Sequence, residues 1–320
     1  MNTETLGKPY IAPVRPGFAF SDLPPAQPEP DYPFPALTLE ERMRFELFGY
    51  TIVEDLFTEQ ELQSIEDAAK KAKNEILEAA ENRTFEIPPP PNKYHSFKEG
   101  AIWRGLRTAT ESGELYLDRL EIEQVLGLNP IFLSALIKPR VLGIATELLG
   151  GTFRFFSVGV RFNRRSNFPM LGWHGGVSRH KDRAVCKNGW LHTQILGMIV
   201  YLTDVGPTDG GTGIFAGSHR FDLSYDVLKQ YITDHPDSEL FHQVVARRGS
   251  TLLFADGPLM HRTIPIQSDK ERLIMLSRLV HSDYEIGQTE PVGRMDHVSS
   301  SLMPLFHGRA FTPKYRPRGE

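Results

Sequence analysis

Three hydrophobic textures succeed one another along the chain, and each predicts different elements. Residues 1–37 are proline-rich (Pro24, Pro25, Pro28, Pro30, Pro33, Pro35) with scattered aromatics. Proline lacks a backbone donor and fixes φ. This stretch therefore predicts an extended arm packed through Phe18, Phe20, Tyr32 and Phe34, not a helix or a central strand. From Leu37 the apolar residues take helical spacing: Leu39, Met43, Phe45, Leu47 and Phe48 lie in a charged run ended by Gly49. Tyr50-Thr51-Ile52-Val53 then reads as a short strand. Thr58 with Glu61 forms a capping box that opens a helix carrying Leu62, Ile65, Ala69, Ala72 and Ile76. Prolines 88–91 predict a loop over residues 82–100. Asn129-Pro130 is a helix start, Pro139 divides the stretch to Leu149 into two short helices, and Gly150-Gly151 closes the second.

Beyond Phe153 the segments become short, β-branched and turn-punctuated: 153–162, 191–202, 213–215, 251–254 and 273–279, with 240–245 as a further candidate. That pattern predicts a mainly β protein, a sandwich or jelly-roll core over about 151–282 behind a helical front half reaching about 150. One domain over 38–284 is expected, with the arm at 1–37 and a C-terminal extension at 285–320.

Composition narrows the function classes. The 320 residues are 40% hydrophobic and 24% charged, the balance of an ordinary globular protein. A net charge of −4 argues against nucleic-acid binding, which needs an electropositive footprint. The longest apolar stretch, near Ile195 to Leu202, is too short to span a bilayer, and the N-terminal text lacks a secretory pattern. The single cysteine, Cys186, excludes an intrachain disulfide and suits a reducing compartment. The expectation is cytoplasmic, with neither nucleic acid nor membrane as partner.

The candidate chemistry centres on His174, in Gly172-Trp173-His174-Gly175-Gly176, and on His261 with Arg272 eleven residues later. Two histidines separated by a long β-rich segment, with an arginine at that offset, form the skeleton of a non-haem iron site that uses 2-oxoglutarate. Such sites add an Asp or Glu two residues after the first histidine. Here that residue is Gly176, which cannot ligate. Singly, each residue has a plainer reading, because 11 histidines guarantee some distant pair and a histidine beside a tryptophan is usually packing. The ordered set outweighs it: Gly210-Gly211, Ala216-Gly217-Ser218-His219, Gly249-Ser250, His261, Thr263 and Arg272 fall at successive turns and strands.

The chain resembles the phytanoyl-CoA dioxygenase family of Fe(II)/2-oxoglutarate oxygenases. The resemblance begins at Phe45-Glu46-Leu47-Phe48-Gly49-Tyr50 and runs through Leu56-Phe57-Thr58-Glu59-Gln60-Glu61-Leu62. It resumes at Leu202-Thr203-Asp204-Val205 and at Gly217-Ser218-His219, where Ala216 replaces a usual proline, and ends at His261-Arg262-Thr263 with Arg272. It covers roughly residues 38 to 284 and implies a double-stranded β-helix core. It further implies His174 and His261 as iron ligands. Arg272, a bidentate guanidinium, and the Thr263 hydroxyl would hold the distal carboxylate of 2-oxoglutarate. His219 belongs to a turn and is read as structural.

The departure at Gly176 opens two enzymatic readings. One is an oxygenase that hydroxylates an unactivated C–H of a small metabolite with O2, releasing succinate and CO2. Water would then fill the gap, or a carboxylate from elsewhere, Asp182 or Asp256 being nearest in sequence. The other resembles halogenases, in which Gly or Ala replaces the carboxylate and chloride binds in the gap. A catalytically inactive binding protein is the third reading. The cations Arg179, Lys181 and Arg183 after His174, with Arg104 and Arg107 of Trp103-Arg104-Gly105-Leu106-Arg107, read either as solvated charges or as a collar for an anionic substrate. Trp173 reads as packing inside the barrel or as a pocket wall.

Overall fold

The computed structural model describes residues 36–80, 94–109, 115–166, 172–176, 184–187, 189–221, 223–282, 302 and 305–306. Helix α1 (Leu39–Phe48) starts at Thr38, whose hydroxyl accepts from the Glu41 N–H while the Glu41 carboxylate accepts from the Thr38 N–H. Strand β1 (Tyr50–Val53) and helix α2 (Glu59–Ala80) come next. The apolar stripe Leu62, Ile65, Ala69, Ala72 and Ile76 along α2 is buried, as the spacing predicted.

The next segment corrects the expectation of a purely helical front half. Residues 81–93 lie outside the described residues, but part of the predicted loop over 82–100 is strand β2 (His95–Ser96), succeeded by β3 (Ile102–Ala109) and β4 (Leu115–Glu123). The period-two signal of β4 is visible in Leu117-Asp118-Arg119-Leu120-Glu121-Ile122-Glu123. It is hard to read because both faces are buried and one of them is charged. Helices α3 (Pro130–Leu136) and α4 (Pro139–Leu149) each carry proline at the first turn, as expected.

The β core then runs through β5 (Phe153–Asn163), β6 (Val185–Lys187), β7 (Trp190–His192), β8 (Ile195–Tyr201), β9 (Thr212–Phe215), helix α5 (Tyr225–Asp234), β10 (Phe241–Gln243), β11 (Thr251–Ala255), β12 (His261–Thr263) and β13 (Arg272–His281). Two details differ from the pattern. The single strand expected over 191–202 is two, β7 and β8, which belong to different sheets. Helix α5, capped by Ser224, stands in a stretch to which the sequence pattern assigned no element.

The large sheet is ordered β1-β11-β8-β13-β5-β4-β3-β2 with antiparallel neighbours throughout, the small sheet β10-β9-β12, and β6 pairs with β7. This is the mainly β, jelly-roll core that was expected. Successive side chains of each strand take opposite faces. On β13, Leu273, Met275 and Leu279 join the main core, and α4 packs against β5, β8 and β13. Arg272, Ile274, Leu276 and Arg278 face the other way, into a cavity between the two sheets. A second, smaller core of Phe215, Leu228, Ile232 and Met260 lies under α5, with Trp173 and Tyr225 packed on it. At the C-terminal side Leu302, Leu305 and Phe306 are buried, Phe306 stacking on Phe155 at 5.2 Å. Of the proline-rich arm only Ala36 and Leu37 are described, and both are buried. No helix among the described residues is long and apolar enough to cross a membrane.

Candidate functional site

His174 and His261 are opposite one another in an antiparallel pair. The His174 N–H donates to the His261 carbonyl and the His261 N–H to that of His174, both at 2.9 Å. Residues directly opposed across such a pair put their side chains on the same face. The two imidazoles accordingly lie with ring centroids 4.0 Å apart, at the cavity between the sheets. Each ring is oriented by its own chain. His174 Nδ1–H donates to the Gly172 carbonyl and His261 Nδ1–H to the Leu259 carbonyl, both at 2.8 Å. A carbonyl can only accept, so Nδ1 carries a hydrogen in both rings; in a neutral ring Nε2 then offers a lone pair. Burial, with His261 alongside, lowers His174 to about 4, so that it is uncharged at neutral pH. The ring of Phe254 meets His261 edge-on at 5.1 Å and closes one side.

Charged rows on the inner face of the large sheet form the floor of the cavity. Cross-strand register aligns Arg104, Glu121, Arg161, Ile274 and Tyr201 in one row, and Arg119, Asn163 and Arg272 in the next. Glu121, 1% exposed as a side chain, is held by Arg104 Nε at 2.6 Å and by Arg119 Nε at 2.7 Å, with Arg161 at 3.8 Å. Arg161 also donates to Glu123 at 2.8 Å. Arg272 is different. It is buried and forms no salt bridge among the described residues, and its Nε has no hydrogen-bond partner. Burial, reinforced by Arg161 and Arg119, lowers its pKa. The buried Tyr201 hydroxyl beside it also lacks a well-formed hydrogen bond, and burial raises its pKa. An unpaired buried guanidinium costs several kcal/mol by order of magnitude. An anion in the cavity would relieve that cost. Thr263, two residues after His261 on β12, lines the same cavity.

The glycine pair after His174 has its own structural reason. A Cβ on Gly175 would meet the Leu259 carbonyl oxygen at 2.3 Å, so only glycine fits there. Gly176 has φ +95° and its N–H donates to the Gly257 carbonyl at 3.0 Å. A Cβ at Gly176 would meet the Met260 side chain at 3.5 Å, and Met260 belongs to the small core under α5. Gly176 is not among the residues that line the cavity. Gly176→Asp should therefore cost about 1–2 kcal/mol through its left-handed backbone. We expect metal affinity within about threefold of the parent protein, read by Co(II) titration beside thermal melts. A gain of tenfold or more would put the new carboxylate in the site.

The remaining residues singled out in the sequence divide between the cavity's surroundings and the segments outside the description. Arg104 pairs with Glu121 from behind the cavity lining. Arg179, Lys181, Asp182 and Arg183, and the side chain of Arg107, lie outside the described residues. Trp173 neither walls the pocket nor packs within the barrel: it packs outside the small sheet, against Phe241 at 5.5 Å and under the Arg262 guanidinium at 5.0 Å. His219 is buried against Gly49, with Nε2–H donating to the Glu46 carbonyl at 3.3 Å. Asp256 is buried beside the histidine pair, Oδ1 being 3.3 Å from His261 Nε2 while Oδ2 accepts from Arg278 Nε. Burial opposes its ionisation, but Arg278 and His261 outweigh burial and hold it far below the usual carboxylate range. Sequence reasoning missed Arg119, Glu121, Tyr201, Arg262 and Arg278 as cavity residues. The available signal was the spacing of charges two apart within apolar strands. Among the described residues no three His, Cys, Asp or Glu side chains already converge as a metal cluster, so the donor set in place is the histidine pair.

The fold has counterparts among known proteins. The chain matches the phytanoyl-CoA dioxygenase (PhyH) family over residues 45–274. No curated protein matches it. Among solved structures it is similar to HygX from Streptomyces hygroscopicus with nickel and 2-oxoglutarate bound, at 16% identity over 78% of this chain and 88% of HygX, TM-score 0.55. It is similar to EctD from S. alaskensis with bound Fe, at 16% identity over 89% of both chains, TM-score 0.55. It is also similar to SnoK, a non-heme alpha ketoglutarate dependent carbocyclase from nogalamycin biosynthesis, at 19% identity over 84% of this chain and 94% of SnoK, TM-score 0.54. At these identities the likeness is one of fold.

Proposed function

We propose, from the premise that this chain belongs to the phytanoyl-CoA dioxygenase family, that it is a non-haem Fe(II)/2-oxoglutarate-dependent oxygenase. It would oxidise an unactivated C–H of a small anionic metabolite with O2, releasing succinate and CO2. One observation carries the reading: two imidazoles, each oriented by its Nδ1–H bond to a backbone carbonyl, share a cavity with a buried arginine that has no carboxylate partner among the described residues. His174 and His261 would hold the metal, and Arg272, with Tyr201 and Thr263, the distal carboxylate of 2-oxoglutarate. The bound iron supplies oxygen activation coupled to decarboxylation of the keto acid. The protein's own part is to orient both imidazoles through their Nδ1–H bonds and to neutralise the carboxylate away from water. Both orphaned atoms, Arg272 Nε and Tyr201 Oη, fit a carboxylate.

The anaerobic complex with Fe(II) and 2-oxoglutarate should develop a visible metal-to-ligand charge-transfer band. If none forms, the protein is a binding protein that uses the cavity otherwise. Arg272→Ala should raise the KM for 2-oxoglutarate at least about tenfold while leaving metal affinity nearly unchanged, because a charge-assisted hydrogen bond to a buried carboxylate is worth about 1.5–3 kcal/mol. Equal loss of both affinities would mean that Arg272 supports the fold instead.

The substrate's charge is argued from the lining. Arg119, Arg161, Arg272 and Arg278 line the cavity with one lining carboxylate, Glu121, while Arg161 also pairs with Glu123 and Arg278 with Asp256. The loop cations Arg179, Lys181 and Arg183 and the β3 cations Arg104 and Arg107 remain proposed contributors to the same collar. Halogenation, with chloride in the place left by Gly176, is the alternative. It needs a vacancy that faces the histidines; a Cβ at Gly176 would meet Met260 at 3.5 Å, an ordinary van der Waals contact.

A further inference from the structure

Arg119 and Arg161 line the cavity, yet neither is needed to hold a metal or the keto acid. With Arg104 they set three guanidinium groups against two carboxylates, Glu121 and Glu123. One positive charge of this cluster is left unbalanced among the described residues. The pairing shows where that surplus faces. Glu121 gives one oxygen to Arg104 and the other to Arg119, while Arg161 pairs with Glu123 at 2.8 Å. Arg104 stands behind the lining, so the under-neutralised side of the cluster is the one turned to the cavity. Arg161 Nε is buried there without a hydrogen-bond partner. Asn163, buried on β5 beside Arg119, lines the same cavity and adds an amide, a neutral donor. A surplus cation shut off from water is costly until an anion pairs with it. A single surplus charge matches one carboxylate better than a phosphate monoester, which carries about −1.5 to −2 at neutral pH.

We propose that Arg119, Arg161 and Asn163 form a second anion subsite, which anchors the substrate by a single carboxylate while Arg272 holds that of 2-oxoglutarate. The proposal rests on the oxygenase reading above and deepens it: the small anionic metabolite is a monocarboxylate. Sheet register keeps the two subsites apart. Arg119, Asn163 and Arg272 stand side by side on β4, β5 and β13, which puts about 10 Å between the backbones of the two arginines. Two carboxylates can thus be held at once without sharing a guanidinium. Arg161, two residues before Asn163 on β5, presents its side chain on the same face. Glu121 and Glu123 act as positioning residues. Glu121 takes Nε and Nη2 of Arg119 and Glu123 takes Nη2 of Arg161, so both guanidinium planes are fixed and the remaining N–H groups are those left for a ligand.

Saturation-transfer NMR on the protein loaded with diamagnetic Zn(II) and 2-oxoglutarate tests this without turnover. The probes are straight-chain monocarboxylates of graded length, each beside its primary amide and its alkyl phosphate. The carboxylates should bind, and the matched amides at least about tenfold more weakly, because the charge-assisted bonds are lost. The phosphates should bind no more tightly than the carboxylates. Arg161→Gln should lower carboxylate affinity at least about tenfold and erase the preference over the amide, with the Kd of 2-oxoglutarate within about threefold of the parent. Asn163→Ala leaves every ion pair of the cluster intact and serves as the second variant, with thermal melts as the folding check. It should lose about threefold for the carboxylates, the worth of one neutral hydrogen bond. Amides or phosphates bound more tightly than the carboxylates, or carboxylate affinity unchanged in either folded variant, would overturn the subsite. So would a parallel loss of 2-oxoglutarate, which would make Arg161 part of the keto-acid pocket. If no carboxylate binds while 2-oxoglutarate does, the subsite falls and the iron reading stands. If 2-oxoglutarate shows no metal-dependent binding, the iron reading itself falls, and the subsite with it.

Discussion

His261→Ala should abolish metal binding and lower kcat/KM by at least about a thousandfold. If the two imidazoles of the paired segments hold the metal as proposed, removing one takes away half of that anchor. The loss is expected without unfolding, because the pairing of the two segments is made by backbone N–H and carbonyl groups that alanine retains. His174→Ala should behave alike for the same reason. Calorimetric titration with Fe(II) or Co(II), beside circular dichroism of the metal-free proteins, separates the two possibilities. A folded His261→Ala protein that still binds metal within tenfold of the parent would remove the histidine pair as the metal site.

The largest effect on stability is expected at Glu121. Its carboxylate is buried beneath Arg104, Arg119 and Arg161, and replacing it with glutamine leaves three guanidinium groups sharing one anion fewer in a region shut off from water. Breaking a buried charge network by removing one partner typically costs about 3–5 kcal/mol. For a chain of this size that corresponds to a fall in Tm of about 10 °C. The pH dependence has a definite sign. Burial alone would raise the Glu121 pKa, but Arg161, Arg119 and Arg104 outweigh it and hold the group well below the usual carboxylate range. Its stabilisation is therefore complete above the pKa of an unfolded glutamate and is lost as pH falls through the depressed folded value. The parent protein should lose stability in acid, and Glu121→Gln should lose less, so that their melting curves converge as pH drops from about 7 toward about 3. Equal spacing of the two Tm values across that range would show that Glu121 does not carry the acid dependence.

Local chemistry alone determined a good part of this protein. The Thr38 and Thr58 caps, the proline at the head of α3 and α4, and the stripe Ile65, Ala69, Ala72 and Ile76 act within a few residues of themselves, and the helices form where those signals stand. The change to short β-branched segments after Phe153 announced the jelly-roll core for the same reason. The order His174, His261, Arg272 named three residues that the fold brings to one cavity. What the sequence could not reveal depends on register between distant strands. Arg119 and Arg161 look like surface charges in their own strands, and become part of a buried floor only because β4 and β5 align them beside Arg272 of β13. Glu121 has its three partners on three strands, two of them reached only by pairing. Gly176 occupies the expected ligand position by count. Its backbone, at φ +95°, sends a side chain toward Met260, while Asp256, far along the chain, comes within 3.3 Å of His261. A sequence count fixes a residue's place along its own strand. Which face it presents, and what stands opposite, is set by the twist and pairing of the whole sheet.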